Sequence, residues 1–354
     1  MDFNQLQSLV RPHILEMKPY ASARSEYTGS KGIFLDANEN PIGSATQTAY
    51  NRYPDPLQKA LKEKVAQEKG VRPEQIFLGN GSDEAIDLLI RAFCEPGEDH
   101  LLLLPPTYGM YEVSANINKV AVQKVSLTSD FQLDVPAIQQ ALSPSTKLVF
   151  ICSPNNPTGN LMEAADILTI LDSHNEGLVI VDEAYIDFAS TKGFVPFLDA
   201  YPHLVVMQTF SKAWGLAGLR LGMAFANPFV INVLNRIKPP YNLNQVTQEL
   251  GMQALEHAKA KDHMVGQLLG ERERVLKALE NIPGIHQVFP SDANFLLVKM
   301  ENAQEVYNSL LEKLIILRNR SYVHLCEGSL RISIGTPEEN EQMLRGLQRV
   351  LANA

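Results

Sequence analysis

KLVFICSPNNPTGNLMEAADILTILDSHNEGLVIVD, residues 147–182, carries the pattern that decides the fold. Its two ends, KLVFIC and GLVIVD, are short continuous apolar runs rich in Val, Ile and Leu, the composition of strands buried on both faces. Between them MEAADILTILDSH, residues 162–174, is spaced as an amphipathic helix and has the length of a crossover between parallel strands. The same unit recurs on both sides: HLLLLP at 100–105 and HLVVMQTF at 203–210 are further buried runs, and DEAIDLLIRAFCE at 83–95 is a further helix. The implied class is α/β, a large domain with a mainly parallel sheet flanked by helices. From about residue 245 the texture changes. A long polar helix, QVTQELGMQALEHAKAKDHMVGQLLGERERVLKALEN, precedes the short strands FLLVKM and LRISIG and a closing helix, EENEQMLRGLQRVLAN, which together read as a smaller α+β domain. Pro239, Pro240 and Asn242 mark the loop before that change. The chain of 354 residues exceeds what one core usually holds. The expected division is an N-terminal arm with part of the small domain at 1–37, the large domain at 38–245 and the small C-terminal domain at 246–354.

Composition narrows the function. With 31 basic and 40 acidic residues the net charge is −9, which favours neither nucleic acid nor an anionic membrane as partner. Three widely spaced cysteines, Cys94, Cys152 and Cys326, fit neither a disulfide framework nor a zinc site, and point to a reducing cytoplasm. The N-terminus lacks a signal-peptide core, and no apolar run approaches the ~18 to 20 residues of a membrane span. None of the eight histidines forms an HExxH or another compact ligand set, so no metal is expected.

The strongest chemical signal is TFSKAWGLAGLRLG at 209–222, a glycine-rich turn after a buried strand that gathers Thr209, Ser211, Lys212 and Arg220. An isolated lysine is usually a solvated surface group. One that is partly desolvated beside other positive charge can lose its proton and condense with an aldehyde cofactor. The hydroxyls and the guanidinium suit a phosphate. Asp182 ends the run GLVIVD, where open α/β sheets place ligands. Alone it reads equally as a cap; paired with Lys212, it suits a carboxylate that keeps a pyridine nitrogen protonated. Tyr185 could reach the same ring's phenolic oxygen. SPNNPTGN at 153–160 is first of all a turn, yet its Asn156 can aim an amide N–H into the same crevice. In LGNGSDEAI at 78–86 a strand runs through Gly79 and Gly81 into a helix whose free N–H groups favour a phosphate. Asp83 and Glu84 break the GxGxxG pattern, so a one-phosphate cofactor fits better than a dinucleotide. Tyr108, in PTYGMY at 106–111, is a candidate plate against a ring, although such a tyrosine is more often packing.

GSDE, PTYGMY, NNPTG, DEAY and SKAWGLAGLRLG, in this order and spacing, resemble the fold-type I pyridoxal-phosphate aminotransferases. From VRPHILEMKPYASAR through LDANENP and RYPDP to LRISIGT, the chain is similar to the histidinol-phosphate aminotransferase family over nearly its whole length. The resemblance implies pyridoxal 5'-phosphate as cofactor, with Lys212 its lysine and proton shuttle, Asp182 the partner of the ring nitrogen, and Asn156 and Tyr185 the ligands of the phenolic oxygen. It implies phosphate contacts from Gly81, the backbone of Ser82 and Asp83, Thr209, Ser211 and Arg220, with Tyr108 against the ring. Tyr53 of RYPDP would reach the cofactor phosphate of a neighbouring subunit, which implies a homodimer. Arg331 in SLRISIGT and Arg318 in IILRNR would hold the anionic end of the substrate, with Tyr20 and Asn38 at its mouth. The implied reaction exchanges the amino group of histidinol phosphate with 2-oxoglutarate, in histidine biosynthesis. A broad aromatic aminotransferase and a phospho-amino-acid decarboxylase on the same scaffold are the nearest alternatives. A ligand-sensing regulator would need a DNA-reading module, for which the chain has no room.

Overall fold

Each apolar run quoted above is a strand of one sheet in the computed structural model, which describes residues 1–20 and 32–352. The strands are β1 (Ile76–Asn80), β2 (His100–Leu103), β3 (Ala121–Lys124), β4 (Thr146–Cys152), β5 (Leu178–Asp182), β6 (Leu204–Thr209) and β7 (Leu221–Ala226). They lie in the order β1-β7-β6-β5-β4-β2-β3. The pairs from β6 to β3 are parallel, and β7 runs against both of its neighbours, β1 and β6. Both faces are buried, which is why these strands read as unbroken apolar runs rather than as alternating ones. Leu78, Val149, Ile151, Val179, Val181 and Val206 pack into one layer. Phe77, Leu148, Phe150, Leu178, Ile180 and Val205 pack into the other.

The C-terminal part builds a second sheet from β8 (Ile285–Val288), β9 (Phe295–Met300), β10 (Arg318–Asn319) and β11 (Ser329–Ser333), ordered β10-β11-β9-β8 and antiparallel throughout. Leu296, Val298, Leu330 and Ile332 on this sheet pack against Val275, Leu279, Leu344 and Leu347 of two helices. The long polar helix expected from residue 245 is two helices, Gln245–Glu256 and Ala258–Glu280, broken at His257 (φ −112°, ψ 29°). The reason is packing. Gly251 of the first lies against Leu61 and Leu221 of the large sheet's layer, whereas Val275 and Leu279 of the second belong to the small sheet's core, so the chain must turn between them. Among the described residues no helix is long and apolar enough to cross a membrane.

Candidate active site

β1, β4, β5 and β6 point the same way, so their C-terminal ends open on one edge, the place where such sheets hold ligands. A cavity of about 410 Å3 lies there, lined by Gly81, Ser82, Asp83, Tyr108, Asn156, Asp182, Tyr185, Thr209, Ser211, Lys212, Arg220, Arg318 and Arg331, all singled out from the sequence. Cys152, Ala184 and Arg320 complete the lining.

One end of the cavity is an anion cradle. Gly81 caps the helix Ser82–Phe93 with φ +71°, a conformation that favours glycine, and a side chain there would meet Arg220 Nη2 at 2.6 Å. Gly222, opposite Gly79 in the β1–β7 ladder, is equally required, because a Cβ would run into the backbone of Gly81 and Ser82. The reversed strand β7 explains why the motif at 209–222 is compact: Thr209 and Gly222 are register partners, so the loop between them closes on itself. Thr209 Oγ1 and Ser211 Oγ are 3.0 Å apart, and the Gly81 N–H donates to the Arg220 carbonyl at 2.9 Å. The Asp83 carboxylate is turned to Arg220 Nη2 at 3.4 Å and the Tyr108 hydroxyl at 3.2 Å, so its charge is partnered beside the cradle.

The floor is Asp182. It is buried, and burial pushes its carboxyl up to about 6 against the opposing pull of hydrogen bonds from the Tyr111 hydroxyl (2.5 Å) and the Ala184 N–H (3.1 Å). A buried carboxylate held by two donors, with no ion pair among the described residues, has the chemistry to pair with a protonated nitrogen. Lys212 Nζ lies 5.4 Å from the centre of the Tyr185 ring, and burial first, then the Arg331 charge, lowers its affinity for a proton. Burial pushes the Tyr185 hydroxyl up, so it stays a donor at neutral pH. Asn156 Oδ1 accepts a hydrogen bond from Arg331 Nη1, which joins the two sheets across the cavity. Arg331 also stacks over Phe295 at 5.2 Å.

Tyr53, Asn38 and Tyr20 do not line this cavity. Tyr53 and Asn38 line a second, wider cleft of about 580 Å3 with Tyr241 and Val246, and the rings of Tyr53 and Tyr241 stack at 4.4 Å. Tyr20 is exposed, and the rest of its segment, residues 21–24, lies outside the described residues. Two contributors were missed in the sequence. Tyr111 looks like core packing within a helix, and Arg320 like surface charge; the spacing of Arg320 two residues after Arg318 in a strand was the one available signal.

Phosphate-type donors around Gly81, a buried carboxylate and a deprotonable lysine in one strand-end cavity are the groups that a phosphorylated pyridine aldehyde requires. The sequence profile of the aminotransferase class I and II family matches residues 25–347, and the chain belongs to that family. It is 56% identical to the histidinol-phosphate aminotransferase of Cytophaga hutchinsonii over 96% of this chain and 97% of that one. Among solved structures, the histidinol-phosphate aminotransferase from Clostridium acetobutylicum superposes with a TM-score of 0.80 at 26% identity, covering 86% of this chain and 92% of that chain. The fold is also that of the Sinorhizobium meliloti histidinol-phosphate aminotransferase in complex with pyridoxal-5'-phosphate (TM-score 0.79, 20% identity, 97% and 98% covered).

Proposed function

We propose that this chain is a pyridoxal 5'-phosphate enzyme that exchanges the amino group of L-histidinol phosphate with 2-oxoglutarate. The observation that carries the reading is the single cavity holding Lys212, Asp182 and the phosphate cradle at one side and a group of arginines at the other. The similarity to histidinol-phosphate aminotransferases over nearly the full chain supports the choice of donor.

The residues present fit the cofactor: the cradle around Gly81 takes its phosphate, Asp182 its ring nitrogen, Asn156 and Tyr185 its phenolic oxygen, and Lys212 its aldehyde. When bound, the cofactor supplies an electron sink for the charge left on the substrate carbon. Lys212 Nζ, biased toward the neutral amine by burial and by Arg331, is the base that lifts the proton from the amine-bearing carbon and later returns one. Asp182 holds the ring-nitrogen proton by charge pairing, and Tyr111 with the Ala184 N–H keeps its oxygens aimed. Tyr108 bounds one side of the ring site, held through Asp83. Arg318 and Arg331 orient the anionic end of the substrate, and the same groups serve the carboxylates of glutamate and 2-oxoglutarate.

Two copies sharing their active sites would complete the arrangement. Ile33, Leu35 and Ile42 are 92%, 85% and 95% exposed in one chain, which supports a partner surface beside the Tyr53–Tyr241 cleft. On this reading Tyr53 reaches the partner's cofactor phosphate, and Tyr20 and Asn38 stand at the substrate mouth. A cytoplasmic location fits the chemistry.

The test is an absorbance measurement on holoenzyme given histidinol phosphate and no keto acid. The bound aldehyde form should convert to the amine form and recover on adding 2-oxoglutarate, and Lys212→Ala should abolish turnover. Near-normal transamination by K212A would refute the mechanism; response only to another amine would keep the chemistry and discard the donor.

A further inference from the structure

The geometry points to Arg320 as the specificity-determining residue that makes this site prefer a phosphate dianion over a carboxylate, a conclusion that rests on the function proposed above. The second sheet sets this up. Arg318 and Arg331 are register partners in the β10–β11 pair. The ladder continues past β10, since the Arg320 N–H donates to the Ser329 carbonyl at 3.0 Å. Strand side chains alternate, so Arg318 and Arg320 share a face, and all three arginines line the cavity.

This concentration of charge is not balanced by protein. Among the described residues no carboxylate forms an ion pair with Arg318, Arg320 or Arg331. Arg320 is half-buried, and its Nε is buried without a hydrogen-bond partner, as is that of Arg331. Burial and then the Arg318 charge work against the protonated form of Arg320, and Arg331 feels Arg320 more than it feels Arg318. Three like charges on one wall, partly dehydrated, are unfavourable until an anion joins them.

The chemistry of the anion decides which residue matters for which substrate. A carboxylate has one charge and two oxygens, which one guanidinium fork satisfies. Glutamate carries two carboxylates, but they are spread over separate ends of the molecule. A phosphate monoester gathers nearly two charges and three acceptor oxygens at one point, so it gains from a third adjacent cation as a carboxylate does not.

The experiment compares wild type, Arg320→Gln and Arg320→Lys as holoenzymes in single-turnover half-reactions with histidinol phosphate, with histidinol and with glutamate. For R320Q, kcat/KM with histidinol phosphate should fall at least about tenfold, chiefly through KM; tenfold corresponds to about 1.4 kcal/mol. Histidinol and glutamate should change less than about threefold, and R320K should recover part of the loss by restoring a point charge. An equal loss on all three donors, no loss on any, or a lysine variant no better than the glutamine one would each overturn the assignment. Wild-type enzyme that used glutamate but not histidinol phosphate would instead remove the functional reading itself. Wild-type turnover of histidinol phosphate with R320Q unchanged would remove this inference alone.

Discussion

Replacing Tyr111 with Phe isolates one interaction under the cofactor floor. The phenyl ring keeps its place, because Tyr111 stacks on Phe150 with centroids 4.6 Å apart and planes 20° from parallel, and the side chain is fully buried. What is lost is the hydroxyl that donates to Asp182 Oδ2 at 2.5 Å. A hydrogen bond to a charged group contributes about 1.5–3 kcal/mol, and one between neutral groups about 0.5–1.5 kcal/mol. Burial already holds the Asp182 carboxyl at about 6, and Tyr111 is the strongest influence pulling it down. The excess of the charged-group contribution over the neutral one is what the hydroxyl contributes to the ionised form, so losing it raises the carboxyl further in the cofactor-free protein. The sign follows from linkage. A carboxyl raised in the folded state binds more protons folded than unfolded, so its burial costs stability increasingly as pH rises through the window from its unfolded value to its folded one. Y111F should therefore destabilise cofactor-free protein by about 1.5–3 kcal/mol at pH 8.5, where Asp182 is ionised, and by only about 0.5–1.5 kcal/mol near pH 4.5, where it is neutral. Urea unfolding of both proteins at the two pH values measures this, since other carboxylates cancel in the difference. In holoenzyme, on the proposed pairing of Asp182 with the ring nitrogen, the same change should slow the half-reaction. A penalty equal at both pH values, or larger in acid, would refute the claim that Tyr111 acts by stabilising the ionised carboxylate.

Gly222→Ala should raise the dissociation constant of the cofactor at least about tenfold by forcing the backbone of Gly81 and Ser82 out of place, overpacking of a kind that costs about 1–3 kcal/mol. Gly218→Ala, whose Cβ would meet nothing within 4 Å, is the matched control and should bind cofactor normally in a fluorescence titration. At the opposite edge of the sheet, His174 is buried beside His203, and burial first, then that neighbour, lowers its pKa to about 4. A histidine depressed in the folded state contributes stability that is present above about pH 6.5 and is lost as pH falls toward 4, a loss of about 2 to 3 kcal/mol by pH 4.5. Denaturation of wild type and His174→Leu at pH 7 and 4.5 should show the smaller acid sensitivity in the variant; parallel losses in both would exclude His174 as the cause.

What could be read in the sequence was whatever followed a buried strand. Asn156, Asp182, Thr209 and Lys212 each come within a few residues of the end of an unbroken apolar run, and parallel strands bring such ends to one edge regardless of the details of packing. The contributors that escaped notice depend on a register between distant elements. PTYGMY holds two tyrosines, and the one read as a ring plate was Tyr108. The one that touches Asp182 is Tyr111, three residues on, and nothing local tells that a helix residue will meet a strand end 71 positions later. Arg320 hides in the same way: in IILRNR it resembles surface charge, and only the pairing of Arg318 with Arg331 turns it toward the cavity. The break at His257 belongs with these, since the polar periodicity of residues 245–280 is continuous and the turn is imposed by two separate cores. Local sequence thus carried the groups proposed to meet the cofactor, because a cofactor is bound by strand ends. It carried less about what holds those groups and what selects the substrate, because Tyr111 and Arg320 come from a helix and from the second sheet, whose placement against the first is decided only by packing.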